Sequence, residues 1–155
     1  MLELLNEPDL FTIAAHGCKD HIFNYDASTI SPEQLTNMII ENNYDFQKTI
    51  RLYSCNIGAN TGKDSYLQKV ANELYKRRPC NRKVTIRIEA PIHELCTSPN
   101  RNYTALEHYR KTIETKFILV GYEYDEYGHI IMPIFDSEII TKGEVIYNIF
   151  TPNFD

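Results

Sequence analysis

Two short apolar runs, bounded by polar and turn-forming residues, set the rhythm of the chain. Phe11-Thr12-Ile13-Ala14-Ala15 and Thr49-Ile50-Arg51-Leu52-Tyr53-Ser54 have the length and flanks of buried strands. Between them, Ser31-Pro32-Glu33-Gln34 spells a helix start: serine as N-cap, proline at the first helical position, glutamine three residues after the cap. Leu35, Met38 and Ile39 supply an apolar face at helical spacing, and Asn42-Asn43 ends it. The unit reads as one βαβ crossover, which predicts two parallel neighbouring strands joined by a right-handed connection.

The pattern continues with a polar loop after Cys55. A second helix from about Asp64 to Arg77 then carries Leu67, Val70, Ala71 and Leu74 on one face. The run from Val84 to Ala90 alternates as a third strand and stops at Pro91, and the segment from Ile92 to about Asn102 reads as loop. A weakly marked short helix falls around Ala105 to Lys111. Lys116 to Tyr124 and His129 to Phe135 flank Asp125-Glu126-Tyr127-Gly128, a hairpin signal, and a short strand is expected at Val145 to Phe150. Tyr122, Tyr124 and Tyr127 read as hairpin packing. With no repeat, low-complexity tract or linker, the expectation is a single α/β domain over residues 1–155. Its sheet would be mainly parallel, flanked by helices, with a C-terminal β-hairpin.

Composition narrows the function classes. A 155-residue domain buries roughly 70% of its unfolded surface, and 43% hydrophobic with 24% charged residues is ordinary for a globular chain. The net charge of −5 argues against a nucleic-acid binder. No apolar stretch reaches the ~20 residues of a membrane span. The start, Leu2-Glu3-Leu4-Leu5-Asn6-Glu7, carries acids where a signal peptide carries bases, so the expected location is cytoplasmic, or a target cell reached by signal-less export. Cys18, Cys55, Cys80 and Cys96 form no CxxC pair and read as reduced thiols. Neither His16, Cys18 and His21 nor His93 and Cys96 match a zinc spacing, so no metal is expected.

The chemistry lies at the two strand ends, which deliver His16-Gly17 and Cys55-Asn56-Ile57-Gly58. In parallel α/β sheets, groups just past the carboxyl ends of strands line the ligand crevice. Cysteine attacks as its thiolate, an imidazole can take that proton and pass it to a leaving group, and the Gly17 and Cys55 amides can serve an oxyanion. Cys18 follows no apolar strand and is a weaker nucleophile candidate. Asp20 and Asp26 could orient an imidazole, and His21, His93, His108 and His129 read as surface or loop residues.

An apolar strand ending in His-Gly, a helix opened by Ser-Pro-x-x-Leu, and a strand ending in Ser-Cys-Asn-x-Gly together resemble the caspase-like (clan CD) cysteine peptidases. That group includes bacterial caspase-like and CHAT domains and toxin autoprocessing protease domains. Tyr66 to Leu74, leading to Glu89-Ala90-Pro91, is similar to the helix and strand that follow in bacterial members, so the likeness spans about 11–91. The resemblance implies His16 as catalytic histidine, Cys55 as nucleophile, and Gly17 with Cys55 as the oxyanion hole. The implied activity is cleavage of a protein or peptide substrate through a thioester acyl-enzyme, in a bacterial effector or toxin-type protease. Toxin members bind inositol hexakisphosphate in a basic pocket. The cluster Lys76, Arg77, Arg78, Arg82, Lys83 and Arg87 is the corresponding candidate for that or another polyanion activator.

The likeness has gaps. Family members usually carry further strands before the His-Gly strand, whereas ten residues precede Phe11 here. This predicts a small sheet, completed by the C-terminal hairpin or by a partner chain. No specificity pocket maps beyond Pro91, and no acidic third member is assigned. Two other readings stand beside the peptidase: a catalytically inactive caspase-like binding or regulatory module, and a cysteine acyl hydrolase or transferase of another kind.

Overall fold

The computed structural model describes residues 2–96 and 111–153. The helix expected around 105 to 111 and His108 lie outside them, apart from residue 111, which opens a strand. In chain order the elements are β1 (Leu2–Asn6), β2 (Leu10–Ala15), β3 (Ile22–Phe23), β4 (Thr29–Ile30), α1 (Pro32–Glu41) and β5 (Thr49–Tyr53). They continue with α2 (Tyr66–Lys76), β6 (Arg87–Pro91), β7 (Leu95–Cys96), β8 (Lys111–Tyr124), β9 (Ile130–Glu144) and β10 (Tyr147–Phe150).

Local chemistry accounts for the helices. Ser31 caps α1 by accepting the Gln34 N–H (3.0 Å), while the Gln34 side chain takes the Ser31 N–H (2.9 Å), a reciprocal capping box completed by Pro32 in the first turn. Ser65 caps α2, one residue later than the expected start at Asp64. Both helices pack on the sheet face that carries Phe11, Ile13, Ile50, Leu52 and Ile88, and α1 and α2 pack on each other. Each of these side chains is essentially sealed from water, which stabilises the fold by about 1.5–3 kcal/mol per large apolar group.

The central sheet runs β1-β2-β5-β6-β10. The expected βαβ crossover is present: β2 and β5 are parallel, and β6 extends the parallel set. Both edges are antiparallel, β1 on β2 and β10 on β6, so the sheet is mixed rather than purely parallel. The short N-terminus therefore does supply a strand. Leu2 and Leu4 pack partly against the core while Glu3 and Leu5 stay outside, the period-two pattern of an edge strand. The sheet is completed by β1 and β10, not by the C-terminal hairpin.

That hairpin, β8 with β9, is longer than the apolar run forecasts, because its pairing reaches back to Lys111 and Glu144. It joins β7 in a separate three-stranded sheet, and the hairpin is called the arm below. The third core strand starts later than expected, at Arg87. Thr85 donates instead to the Phe46 carbonyl (2.8 Å), outside the ladder. Among the described residues, no helix is long and apolar enough to cross a membrane.

Candidate active site

The parallel pairing of β2 with β5 brings His16 and Cys55 out at the same end of the sheet. The β2–β5 ladder pairs Leu10 with Thr49 and keeps that offset through Ala14 with Tyr53. The strands end there, His16 following β2 directly and Cys55 opening a turn two residues past β5, so both leave the sheet at the same end. Within the strands, Phe11, Ile13, Ile50 and Leu52 face the helices, so the opposite parity, Thr12 and Ala14 with Arg51 and Tyr53, belongs to the other face. Cys55 does pack there, against the small cluster of Ala14, Tyr53 and Leu95.

His16 is exposed. Its carbonyl accepts the Phe23 N–H (3.0 Å), and the Cys18 N–H donates to the His21 carbonyl (2.9 Å). These bonds form an antiparallel bridge centred on Gly17 and Ile22, whose buried side chain anchors the turn. Gly17 has no room for a side chain, since an added Cβ would collide with the Ser54 hydroxyl. That hydroxyl is fully buried and has no hydrogen-bond partner among the described residues. The Gly17 amide donates to no acceptor among the described residues, as an oxyanion donor requires.

The Cys55 turn is built from residues that its shape demands. Asn56 has φ +58°, a left-handed conformation that asparagine tolerates better than most residues. Ile57 is buried, and Gly58 lies so close to the Ala90 and Pro91 backbone that a Cβ cannot fit. Hydrogen bonds then fix the turn to the segment after β6: Asn56 N–H to the His93 carbonyl (2.9 Å), Gly58 N–H to the Pro91 carbonyl (2.8 Å), and the Asn148 side chain to the Gly58 carbonyl (2.9 Å).

That segment also holds the thiol. Cys55 Sγ accepts the Leu95 N–H at 3.3 Å and faces the Leu95 carbonyl at 3.9 Å. Burial pushes the Cys55 thiol up, and the Glu94 charge adds to the rise, while the amides of Leu95 and of Cys55 itself oppose it. The resting thiol is therefore protonated at neutral pH. Among the described residues, no hydrogen bond joins the His16 ring to Cys55. The segment after Pro91 reads as plain loop in the sequence, yet its Glu94 and Leu95 are the groups that tune the sulfur. Nothing local in the sequence announces a contact between residues 55 and 95.

Other candidates have simpler roles. Asp26 accepts from the Ser28 amide and hydroxyl in a turn, bonds that hold its carboxyl below the usual range. Asp20 accepts from Asn60 (3.2 Å), linking the loops that follow β2 and β5. These loops and the start of α1 border a cleft of about 470 Å³, lined by Asp20, His21, Gln34, Asn60, Tyr66 and Lys69 among others, but not by His16 or Cys55. His129 pairs with Asp125 (3.4 Å) at the tip of the arm, far along the chain from the strand ends. The side chain of Cys96 lies outside the described ones, while Cys18, Cys55 and Cys80 are free thiols. Among the described residues, no group of three or more His, Cys, Asp or Glu is arranged to hold a metal.

Four members of the basic cluster have local partners. Arg77 pairs with Glu73 (3.1 Å), reaches Glu33 (4.0 Å) and donates to Asn37. Lys76 also lies near Glu73 (3.9 Å). The Arg78 guanidinium stacks on Tyr75, and Arg87 pairs with Glu89 (3.5 Å). Glu89 in turn holds Arg51 at 2.9 Å, and Arg51 lies under the Tyr147 ring on the sheet face that carries Cys55.

No curated protein and no solved structure matches the chain. A family profile matches residues 2–105, which include β1 through β7 with both His16 and Cys55 but not the arm. By that match, covering well over half its length, the chain belongs to the domain of unknown function family DUF8616.

Proposed function

We propose that this domain is a caspase-like cysteine endopeptidase acting through a Cys-His dyad. The observation that carries the reading is the parallel β2–β5 ladder from Leu10/Thr49 to Ala14/Tyr53, with His16 and Cys55 each within two residues of the carboxyl end of its strand. The parallel β2-β5-β6 set with its two crossover helices is the part of the fold that supports the family likeness. In the reaction, His16 takes the Cys55 proton as Sγ attacks the scissile carbonyl. The tetrahedral oxyanion is held by the Gly17 and Cys55 amides. Collapse expels the amine, which receives the proton from His16, and leaves a thioester. Water, deprotonated by His16, then releases the acid and restores the thiol. Because Leu95 engages the resting thiol, substrate must displace that contact before attack. A bacterial effector or toxin-type role is the setting in which such a peptidase would act.

The test is digestion of a mixed peptide library, read by mass spectrometry, with wild type, Cys55→Ala, His16→Ala and His93→Ala. The expected result is cleavage by wild type, its abolition in Cys55→Ala, a loss of about 10²–10⁴-fold in His16→Ala, and little change in His93→Ala. Cleavage that survives Cys55→Ala overturns the reading.

One observation favours a second reading, a catalytically inactive caspase-like module that binds or regulates a partner. The thiol is half-buried, shifted upward and occupied by Leu95 rather than His16. No library cleavage, together with a thiol that alkylates at the same rate in wild type and His16→Ala, is the result that reading expects.

A further inference from the structure

Ser54 is a residue whose side chain the stability of the fold does not explain. It stands between β5 and Cys55 with no solvent exposure, and its hydroxyl has no hydrogen-bond partner among the described residues. A buried hydroxyl without a partner is destabilising, and alanine would fill nearly the same space without that penalty.

What the hydroxyl touches is Gly17. A Cβ placed on Gly17 would overlap the Ser54 Oγ and lie 3.3 Å from both the Ser54 Cβ and the His21 carbonyl oxygen. The Oγ therefore rests against the Gly17 Cα, where other residues carry a side chain. Glycine has the most permissive backbone of any residue, so its peptide keeps one orientation only where neighbours confine it. Ser54 confines it from the end of β5, and the antiparallel bridge to Ile22 confines it from β3.

The same contact joins the two strand ends where the chemistry is proposed. Gly17 follows His16, and Ser54 precedes Cys55. The Cys55 N–H belongs to the peptide group that Ser54 begins. One residue thus packs against the first oxyanion donor and is bonded to the second.

We infer that Ser54 is a positioning residue, its hydroxyl spacing the Gly17 amide against the Cys55 amide so that both serve one oxyanion. The inference rests on the peptidase reading, and Ser54 acts through Gly17, not on the substrate. Oxyanion donors work because they are fixed before charge develops, and a misplacement of ~1 Å can slow a reaction about 10²-fold. The loss belongs in kcat, because the oxyanion is absent from the bound ground state.

The experiment is steady-state kinetics of wild type and Ser54→Ala on a peptide that wild type cleaves from the mixed library, with thermal unfolding of both. Ser54→Ala should melt no lower than wild type, yet its kcat should fall about ten- to a hundredfold with KM within about twofold. A kcat within about twofold of wild type, or a loss confined to KM or matched by a lower melting temperature, overturns the inference and leaves the peptidase reading standing. A wild type that cleaves nothing overturns that reading and this inference together. Gly17→Ala gives a check that needs no activity. It should lower the melting temperature in wild type and lower it less in the Ser54→Ala background, where the Oγ is gone. Equal losses in the two backgrounds would mean that Ser54 does not confine Gly17, which also overturns the inference.

Discussion

Ile50 and Ile131 are the same residue in the same kind of secondary structure, yet Ile50 has no solvent contact and Ile131 keeps 58% of its surface. The first belongs to a five-stranded sheet with helices packed on its face. The second belongs to a three-stranded sheet in which, among the described residues, β8 and β9 pair mainly with each other. Strand-forming tendency is thus shared by core and arm, and burial is not. The core is stable because α1 and α2 cover an apolar face. The arm is held by its ladder and by cross-strand pairs worth only about 0.2–1 kcal/mol each.

The sharpest way to break this comparison is to delete equivalent side chains from both regions. Leu52→Ala should cost about 2–5 kcal/mol in urea unfolding, while Leu119→Ala should stay within about 0.5 kcal/mol of wild type. Measurements belong at protein concentrations below any self-association. Equal losses would mean that the arm is packed against something in solution.

A smaller contrast comes from adding a methyl group. Gly58→Ala forces a Cβ into the Ala90 carbonyl, which is fixed backbone of β6, and should destabilise by about 1–3 kcal/mol. Gly121→Ala in β8 meets no atom within 4 Å and should be close to neutral. A Gly58→Ala variant as stable as wild type would show that the Cys55 turn can move away from β6.

The smallest expected effect concerns the thiols. Burial raises the Cys55 thiol, so iodoacetamide should modify it more slowly than the exposed Cys80. The reaction should slow by about tenfold for every pH unit that the Cys55 midpoint lies above the ordinary ~8.5. The sign for stability follows from the same cause. The native state favours the neutral thiol, so this contribution is intact below the unfolded value and is lost as pH rises through the folded one. A midpoint below ~8.5 would instead indicate a thiolate already stabilised at rest, against the burial and the Glu94 charge that outweigh the Leu95 amide.

Much of the core is legible in the sequence because its signals are local. Ser31-Pro32-x-Gln34 contains every group of the α1 capping box, and the runs ending at Ala15 and Tyr53 are short, apolar and bounded. The glycines at 17 and 58 are visible as motif members, but their cause is not. Each is required by a neighbour far away in sequence, Ser54 for one and Ala90 for the other. β1 escapes the pattern because Glu3 and Glu7 interrupt the first seven residues of the chain, although Leu2 and Leu4 keep the alternation of an edge strand. The hairpin is forecast too short because composition marks its apolar outer half, whereas its inner half is defined by pairing. The Leu95 contact to Cys55 is beyond reach of any local pattern, since it depends on how the chain turns after Pro91.

The hydrogen bond from the Ile92 N–H to the Ile146 carbonyl (3.1 Å) has a consequence for how such a chain can change. Pro91 pairs with Tyr147, so β6 and β10 are two arms of an ordinary antiparallel hairpin, and residues 93–145 are threaded into its turn. The excursion leaves and re-enters the sheet at adjacent points, and lengthening such a loop costs only about 0.6 kcal/mol per doubling. The core is therefore a host that can accept a different guest of almost any length without altering its ladder. That guest also carries Leu95, whose amide holds the Cys55 sulfur, so exchanging it would retune the thiol while leaving most of the host's stability in place.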